Sequence, residues 1–151
     1  MDRETLEANI ALWSERVAEA SAPWGGAQIC AVTKTQSAET VNMAHAAGLS
    51  LIGENRVQEL MSRIDQFDPG LHIHLIGSLQ TNKVKYIIDR VEMIQSLDRD
   101  ALADEISRRA TAAGLEMPAL VQVNIAREPQ KGGIGEDDLL PFIRRCAGKP
   151  G

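Results

Sequence analysis

A lysine at the end of an apolar segment is the residue of this chain best suited to covalent chemistry. Lys34 follows five largely apolar residues, Ile29 to Thr33, which have the character of a buried strand. Partial burial at a strand end favours the neutral form of a lysine amine, and a neutral amine attacks aldehydes. The alternative is a lysine that only extends from the strand end into solvent, which is a common arrangement.

The segment from Gly53 to Glu59 follows a second apolar run and has two interpretations. Asn55 could present its amide to a ring or a hydroxyl group, and Glu54 could pair with a cation at the mouth of a barrel. Alternatively, Asn55 is the N-cap of a helix, with Gln58 as its partner in a capping box. The two interpretations are compatible with each other.

Two later segments carry the same ambiguity. In the first segment, Gly77 would permit another group to come close to the backbone. In the simpler interpretation of the same segment, Ser78 or Thr81 caps a polar turn. In the second, Asn124 precedes a polar loop in which Lys131 is followed by two glycines, a pattern suited to closing over an anion. A flexible surface loop is the alternative for that second segment.

The histidines and cysteines do not form a metal or disulfide pattern. His72 and His74 would point to the same face of a strand, but no third ligand recurs nearby, so we predict no metal site. Cys30 and Cys146 are far apart and belong to no paired motif. We expect both cysteines to be small buried apolar residues.

These segments belong to a regular alternation of strand-like and helix-like patterns. A leading helix is predicted from Glu4 to Ala20, because apolar residues recur there at helical spacing. The predicted strands are residues 28–33, 49–53, 71–76, 91–95 and 118–124. The helices that follow them are predicted at residues 38–47, 57–67, 81–89, 99–113 and 136–146.

Five β-α units in strict alternation predict a parallel sheet of the α/β class. The sheet could be doubly wound or could form a (β/α) barrel. The glycine fingerprint of a dinucleotide fold is missing from the first strand-to-helix turn, Thr33 to Gln36. Polar residues follow every strand, at the end where a barrel gathers its site, so we favour a TIM-type barrel. Since a full barrel has eight units in about 250 residues, we expect this one to be incomplete at its C-terminal end.

Composition sets wider limits on the protein class. The 151 residues are 44% hydrophobic, which suits one domain over residues 1–151, and the net charge is −5. No basic stripe occurs, which argues against nucleic acid as a partner. No apolar run has the length of a membrane span, and the start at Met1 lacks the pattern of a secretory signal. We therefore predict a cytoplasmic protein without a membrane partner.

Four ordered motifs resemble the pyridoxal phosphate homeostasis protein family. The resemblance runs in order from residue 29 to about residue 135 of this chain. It implies the barrel of the alanine racemase N-terminal domain (the fold type III group), here truncated to about five β-α units. The motifs are Ala31 to Thr35, Gly53 to Glu59, His74 to Lys83, and Val123 to Ile125 with Lys131 to Gly133.

The resemblance also implies a set of cofactor-binding residues. Lys34 would hold pyridoxal 5′-phosphate (PLP) as a Schiff base, and Asn55 would line the pocket near the ring. Lys131 would make a second contact connected with transfer of PLP. We include Ser78 and Asn124 in the predicted set. The phosphate-binding residues of the family belong to its last strands, which we expect to be absent from this chain.

The function implied by the resemblance is non-catalytic: the protein would buffer PLP inside the cell and deliver it to PLP-dependent apoenzymes. A PLP-dependent amino-acid racemase is one alternative, but it needs a second acid or base opposite Lys34. A Schiff-base aldolase without PLP is another, and it needs a carboxylate or tyrosine near the amine, whereas Tyr86 falls within a predicted helix. A scaffold without any ligand is the remaining possibility.

Overall fold

A computed structural model describes residues 2–151 and contains five parallel strands connected by helices. The strands pair in the order β1-β2-β3-β4-β5. The strands are β1 (Ala31–Val32), β2 (Leu51–Glu54), β3 (His72–Leu75), β4 (Met93–Leu97) and β5 (Ala119–Val121). The α-helices are α1 (Arg3–Ser21), α2 (Ala38–Ala46), α3 (Val57–Met61), α4 (Asp100–Ala113) and α5 (Leu139–Cys146). Short 3₁₀ turns occupy Ala22–Trp24, Ile64–Gln66, Thr81–Tyr86 and Glu136–Asp138.

The strand order distinguishes between the two closures that the sequence left open. Each strand lies beside its predecessor, so the chain always steps in the same direction across the sheet. Because crossover connections between parallel strands are right-handed, stepping in one direction puts every helix on the same face. A doubly wound sheet reverses direction and covers both faces. The observed sheet therefore has the arrangement of an arc of a barrel.

One apolar core lies between the helices and the face of the sheet that they cover. Ile52, Ile73 and Ile94 come from three adjacent strands and are almost completely buried there. Helices α2 to α5 contribute buried side chains to the same cluster. The other face of the sheet is open, and Val32, in register with Gly53, is 52% exposed on it. The sheet thus has a packed convex face and an accessible concave face.

The predicted helices with clear start and stop signals agree with the structure. The leading helix begins where the Asp2 carboxylate accepts a hydrogen bond from the Thr5 amide at 2.8 Å. Helix α2 begins in the same way, with the Ser37 hydroxyl accepting from the Thr40 amide. Helix α4 ends at Gly114, whose φ of 67° is a left-handed conformation that glycine adopts without steric cost.

Two predicted helices are wrong in type or length, and the helix predicted at residues 136–146 begins as a 3₁₀ turn and is α-helical only from Leu139. The helix predicted at residues 57–67 stops as an α-helix at Met61, and Arg63 adopts a non-helical φ of −137° as its side chain turns into the interior. The helix predicted at 81–89 is a 3₁₀ turn. Val84 and Ile87, three residues apart, are both fully buried, and a spacing of three is the period of a 3₁₀ helix.

Four of the five strands are shorter than predicted, most of all at the edges, and β4 keeps its predicted length of five residues but begins two residues later. Strand β1 has two residues where six were predicted, and β5 has three where seven were predicted. Among residues 2–151, β1 pairs with β2 alone and β5 with β4 alone, so each has hydrogen-bonding partners on one side. The ladder between β4 and β5 is also irregular. Edge position therefore explains the short ladders.

The cysteines are less buried than expected. Cys30 and Cys146 are both free and half-buried. Burial raises the pKa of each thiol, which keeps both in the protonated, poorly nucleophilic form.

Within residues 2–151, no helix combines the length and apolar character that crossing a membrane requires.

The core makes a direct prediction about stability. Leu102 of α4 is fully buried, so Leu102→Ala should lower the free energy of unfolding by about 2–5 kcal/mol through lost burial and a residual cavity. Leu140 of α5 is 64% exposed and provides a matched control, since Leu140→Ala should change stability by less than about 0.5 kcal/mol. Urea denaturation measures both values. Equal losses for the two variants would contradict the described core.

Candidate functional site

The residues predicted to bind a cofactor all follow the carboxyl ends of strands. Lys34 lies two residues after β1, Asn55 directly after β2, Ser78 three residues after β3 and Asn124 three residues after β5. Because the strands are parallel, these positions lie along the same edge of the sheet. Lys131 lies in the loop that follows Asn124. The edge is therefore the candidate site.

Lys34 is in a tight turn and is exposed to solvent. The Gln36 amide donates to the Thr33 carbonyl at 3.1 Å and closes the turn. The partial burial expected for Lys34 is therefore wrong: among residues 2–151, β1 pairs with β2 alone, so Lys34 follows an edge strand and is exposed. Thr35 has a φ of 65°, an unfavourable conformation for a β-branched residue. Such strain persists only where neighbouring groups hold it.

A buried ion pair supports this turn from the core side. Glu54, at the end of β2, is completely buried, and its Oε1 atom accepts from Arg63 Nη2 at 2.6 Å. The same oxygen accepts a short hydrogen bond from the Thr33 hydroxyl. Arg63 also donates to the Thr33 carbonyl at 3.1 Å and to the Gln36 carbonyl. The pair therefore connects β2 to both ends of the turn.

Glu59 adds a second support to the turn. Its Oε1 atom accepts from the Thr35 amide at 2.6 Å and lies 3.5 Å from Arg63 Nη2. The strained residue is thus held by a carboxylate that Arg63 itself orients.

Two expectations for this segment need correction. Glu54 pairs with a cation, as predicted, but the cation is Arg63 in the buried interior and not a group at the barrel mouth. The capping box of Asn55 with Gln58 is wrong, because α3 has Arg56 at its N-cap position and no side-chain cap from any described residue.

Asn55 and Gly77 bring the ends of β2 and β3 into close contact. A Cβ atom at position 77 would lie 2.7 Å from the Asn55 Cα, so only glycine fits. The backbones also connect here, since the Gly77 amide donates to the Glu54 carbonyl. Asn55 is half-buried and therefore still reachable from the edge. The prediction of close backbone approach at Gly77 is confirmed, with the backbone of Asn55 as the neighbour.

Ser78 is exposed and does not cap the turn after it. The 3₁₀ turn has Gln80 at its N-cap position, so neither Ser78 nor Thr81 has the capping role considered for them. Arg99 holds this loop instead, because its Nη2 atom donates to the Leu79 carbonyl at 2.6 Å while Nη1 pairs with Asp98 at 2.5 Å.

Asn124 organises the loop that carries Lys131. Its Nδ2 atom donates to the Glu128 carbonyl at 2.9 Å and the Lys131 carbonyl at 3.3 Å, and its Oδ1 atom accepts from the Glu128 amide at 3.1 Å. The amide is therefore committed to the loop. Lys131 is exposed and pairs with Glu128 Oε1 at 2.6 Å. The structure thus brings Asn124 and Lys131 together through the loop backbone.

His74 and Gln95 lie on the concave face of the sheet. Gln95 Nε2 donates to His74 Nδ1 at 2.8 Å, an arrangement that requires an unprotonated Nδ1. Burial lowers the pKa of His74, opposed by Glu92 and aided by His72, which favours the neutral ring. His72 pairs with Glu92 at 2.6 Å. In the described part of the chain, no three histidine, cysteine or acidic residues cluster as metal ligands.

Sequence reasoning missed the two arginines that hold the site together. Arg63 lies three residues after Leu60 and four before Phe67, so it falls on the apolar side of the predicted helix. A charged residue in an apolar stripe is a usable signal for a buried ion pair. Arg99 gave no comparable signal, because it follows Asp98 in an ordinary polar helix start.

Proteins that are similar to this chain in sequence share one name. It is 40% identical over 130 residues to the pyridoxal phosphate homeostasis protein of Aquifex aeolicus, covering 83% of this chain and 57% of that protein. It is 31% identical over 153 residues to the protein of the same name from Pasteurella multocida, covering 97% of this chain and 66% of that protein. The chain thus spans less than two thirds of the length of either relative. No protein-family model matches it.

Solved structures share the fold. PipY of Synechococcus elongatus with PLP bound superposes with a TM-score of 0.73 at 31% identity, covering 90% of this chain and 64% of that one. Alanine racemase of Streptomyces coelicolor gives a TM-score of 0.73 at 19% identity, covering 97% of this chain and 39% of that one. At that identity the likeness concerns the fold alone, and it confirms the prediction of an alanine racemase-type barrel.

The contact between Asn55 and Gly77 predicts the effect of a single methyl group. Gly77→Ala should lower the free energy of unfolding by about 1–3 kcal/mol, because the new Cβ must displace the Asn55 backbone. Gly148→Ala is the control, since a Cβ there meets no atom within 4 Å. Urea denaturation gives both values, and amide NMR shifts at Asn55 report the displacement. A Gly77→Ala variant as stable as the control would contradict the described contact.

Proposed function

The chain belongs to the pyridoxal phosphate homeostasis protein family, and from this premise we propose that it binds PLP covalently through Lys34. We further propose that it holds the cofactor for intracellular PLP homeostasis and does not turn over a substrate. The relatives' shared name and the PLP-bound PipY structure support the choice of ligand. Delivery to PLP-dependent apoenzymes in the cytoplasm is part of the same proposal.

The observation that carries the proposal is that Lys34 has an unengaged amine. The chain contains five lysines, and among the residues that the structure describes Lys34 alone contacts neither a carboxylate nor an aromatic ring. Lys131 and Lys149 are paired with carboxylates. Lys83 and Lys85 lie 5.7 Å and 4.9 Å from the centre of the Tyr86 ring. An amine held by a carboxylate or an aromatic ring has to leave that partner before it can attack an aldehyde, whereas the Lys34 amine has no such contact to break.

The chemistry required of the chain is then simple. PLP, when bound, supplies an aldehyde. With PLP bound, the Lys34 amine would be the group that bonds to the aldehyde carbon, with the carbonyl oxygen and the two amine hydrogens released as water. The turn around Lys34 has to present the amine to the cofactor, and the exposed side chain leaves the amine accessible.

The other predicted residues have different proposed roles. Asn55 and Ser78 stand at the same edge with polar groups available to a ring or its substituents. Asn124 is better assigned to positioning, because its amide is committed to the loop of Lys131. Lys131 would have to leave Glu128 before contacting PLP. We therefore propose Lys131 as a secondary contact.

A carrier fits the site better than either enzyme alternative. A racemase requires a second acid or base on the far side of the substrate, and no such group pairs with Lys34 in residues 2–151. An aldolase requires a carboxylate or tyrosine beside the amine. Two carboxylates support the turn of Lys34: Glu54 is fully buried and bound to Arg63, and Glu59 is held by the Thr35 amide at 2.6 Å. Tyr86 lies against two other lysines.

Chemical trapping tests the covalent assignment. Sodium borohydride reduction of the protein with PLP, followed by peptide mapping, should place the pyridoxyl group on Lys34. Lys34→Ala should abolish the adduct, and so should Lys34→Arg, because a guanidinium stays protonated. Lys83→Ala is the matched control and should retain the adduct. Label on Lys131 or Lys83 alone, with Lys34 unmodified, would overturn the assignment.

An activity assay tests the carrier role. With no acid or base paired with Lys34, racemisation of alanine or serine should stay at the level of free PLP. Chiral chromatography of amino acids incubated with the PLP-loaded protein measures this. Saturable racemisation that disappears in Lys34→Ala would show that the protein is an enzyme.

A further inference from the structure

Arg63 makes contacts that converge on the turn of the proposed PLP lysine. Its side chain is only 9% exposed and forms an ion pair with Glu54 of β2, with 2.6 Å between Arg63 Nη2 and Glu54 Oε1. Its other hydrogen bonds go to the carbonyls of Thr33 and Gln36. These two residues flank Lys34 and Thr35, so one guanidinium holds the turn at both ends.

The turn needs such a support because its backbone is strained. Thr35, next to Lys34, has a φ of 65°, which costs free energy for a β-branched residue. The Glu59 carboxylate holds the Thr35 amide at 2.6 Å, and Arg63 lies 3.5 Å from the same carboxylate oxygen. Released from these contacts, the turn would relax toward more favourable backbone conformations and the lysine would change direction.

Stability alone does not explain the arrangement. Burying an ion pair usually gains little over well-packed apolar residues, because both charges lose their hydration. Here the pair also leaves Glu54 Oε2 and Arg63 Nε without hydrogen-bond partners from residues 2–151. The planar guanidinium, in contrast, is well used, since it bonds a carboxylate and two backbone carbonyls at once. The geometry therefore serves the placement of the turn.

We propose that Arg63, oriented by Glu54 and assisted by Glu59, is a positioning residue that aims the Lys34 amine for capture of PLP. The inference rests on the proposed role of Lys34 and adds the reason why this exposed lysine is preferred over the others. Without the support, Lys34 becomes an ordinary surface lysine.

The test compares lysines within the same molecule. The protein is treated briefly with PLP and borohydride, and mass spectrometry gives the ratio of label on Lys34 to label on Lys83. Arg63→Lys keeps the charge beside Glu54 but cannot hold both carbonyls, so this ratio should fall roughly 10-fold or more. Arg90→Lys, at an exposed pair with Asp65, is the matched control and should leave the ratio unchanged.

A second pair of variants covers the case in which Arg63→Lys does not fold. Glu59 is 28% exposed, and Glu59→Ala removes the acceptor for the Thr35 amide, whereas Glu59→Gln keeps an oxygen there and should restore part of the ratio. The label on each lysine separately distinguishes the two causes. Loss of positioning lowers the label on Lys34 itself, whereas general loosening raises the label on half-buried Lys83 without lowering that on exposed Lys34.

The outcomes separate the two proposals. If the unaltered protein shows no preference for Lys34, the proposed function fails. If that preference exists but is unchanged in folded Arg63→Lys, or in Glu59→Ala where Arg63→Lys does not fold, the positioning role of Arg63 is wrong.

Discussion

The ion pair of Glu54 and Arg63 is the interaction on which the candidate site depends. It lies where β2 ends, between the packed helices and the turn that carries Lys34. Removing one partner from a buried pair typically costs about 3–5 kcal/mol, because the remaining charge stays desolvated. Each partner therefore requires the other, and the backbone carbonyls bound by Arg63 are fixed as a consequence. An exposed lysine is thus attached to one of the least exposed charged groups of the protein.

Side chains also hold loop backbones elsewhere along this edge of the sheet. Arg99 bonds the Leu79 carbonyl and connects the loop after β3 to the start of α4. Asn124 bonds the carbonyls and an amide of the loop after β5. In each case a polar side chain that follows a strand bonds backbone groups of a loop at this edge, which would otherwise lack partners. Loops built this way keep polar and reactive groups on the surface while their backbones remain ordered.

The barrel arrangement explains why these loops lie together. Because every connection steps in one direction with the same handedness, all helices cover the convex face and all strand ends meet at one edge. The apolar core lies under the helices, so residues at the edge contribute little to stability through burial. The edge can therefore hold polar groups such as Asn55 and Ser78. The concave face remains accessible, with the contact between His74 and Gln95 on it.

The sequence by itself determined the alternation of strands and helices, the positions of Lys34 and Asn55 after their strands, and the family. Periodicity and short motifs are local properties of the chain, which is why they can be recognised without the structure. It predicted α2 and α4 well, since their caps are local as well. Only the tertiary structure decided the exposure of Lys34, the 3₁₀ form of residues 81–86 and the contacts of Arg63. These depend on partners distant in the sequence: Arg63 meets a carbonyl 30 positions earlier, and no local pattern specifies such a contact.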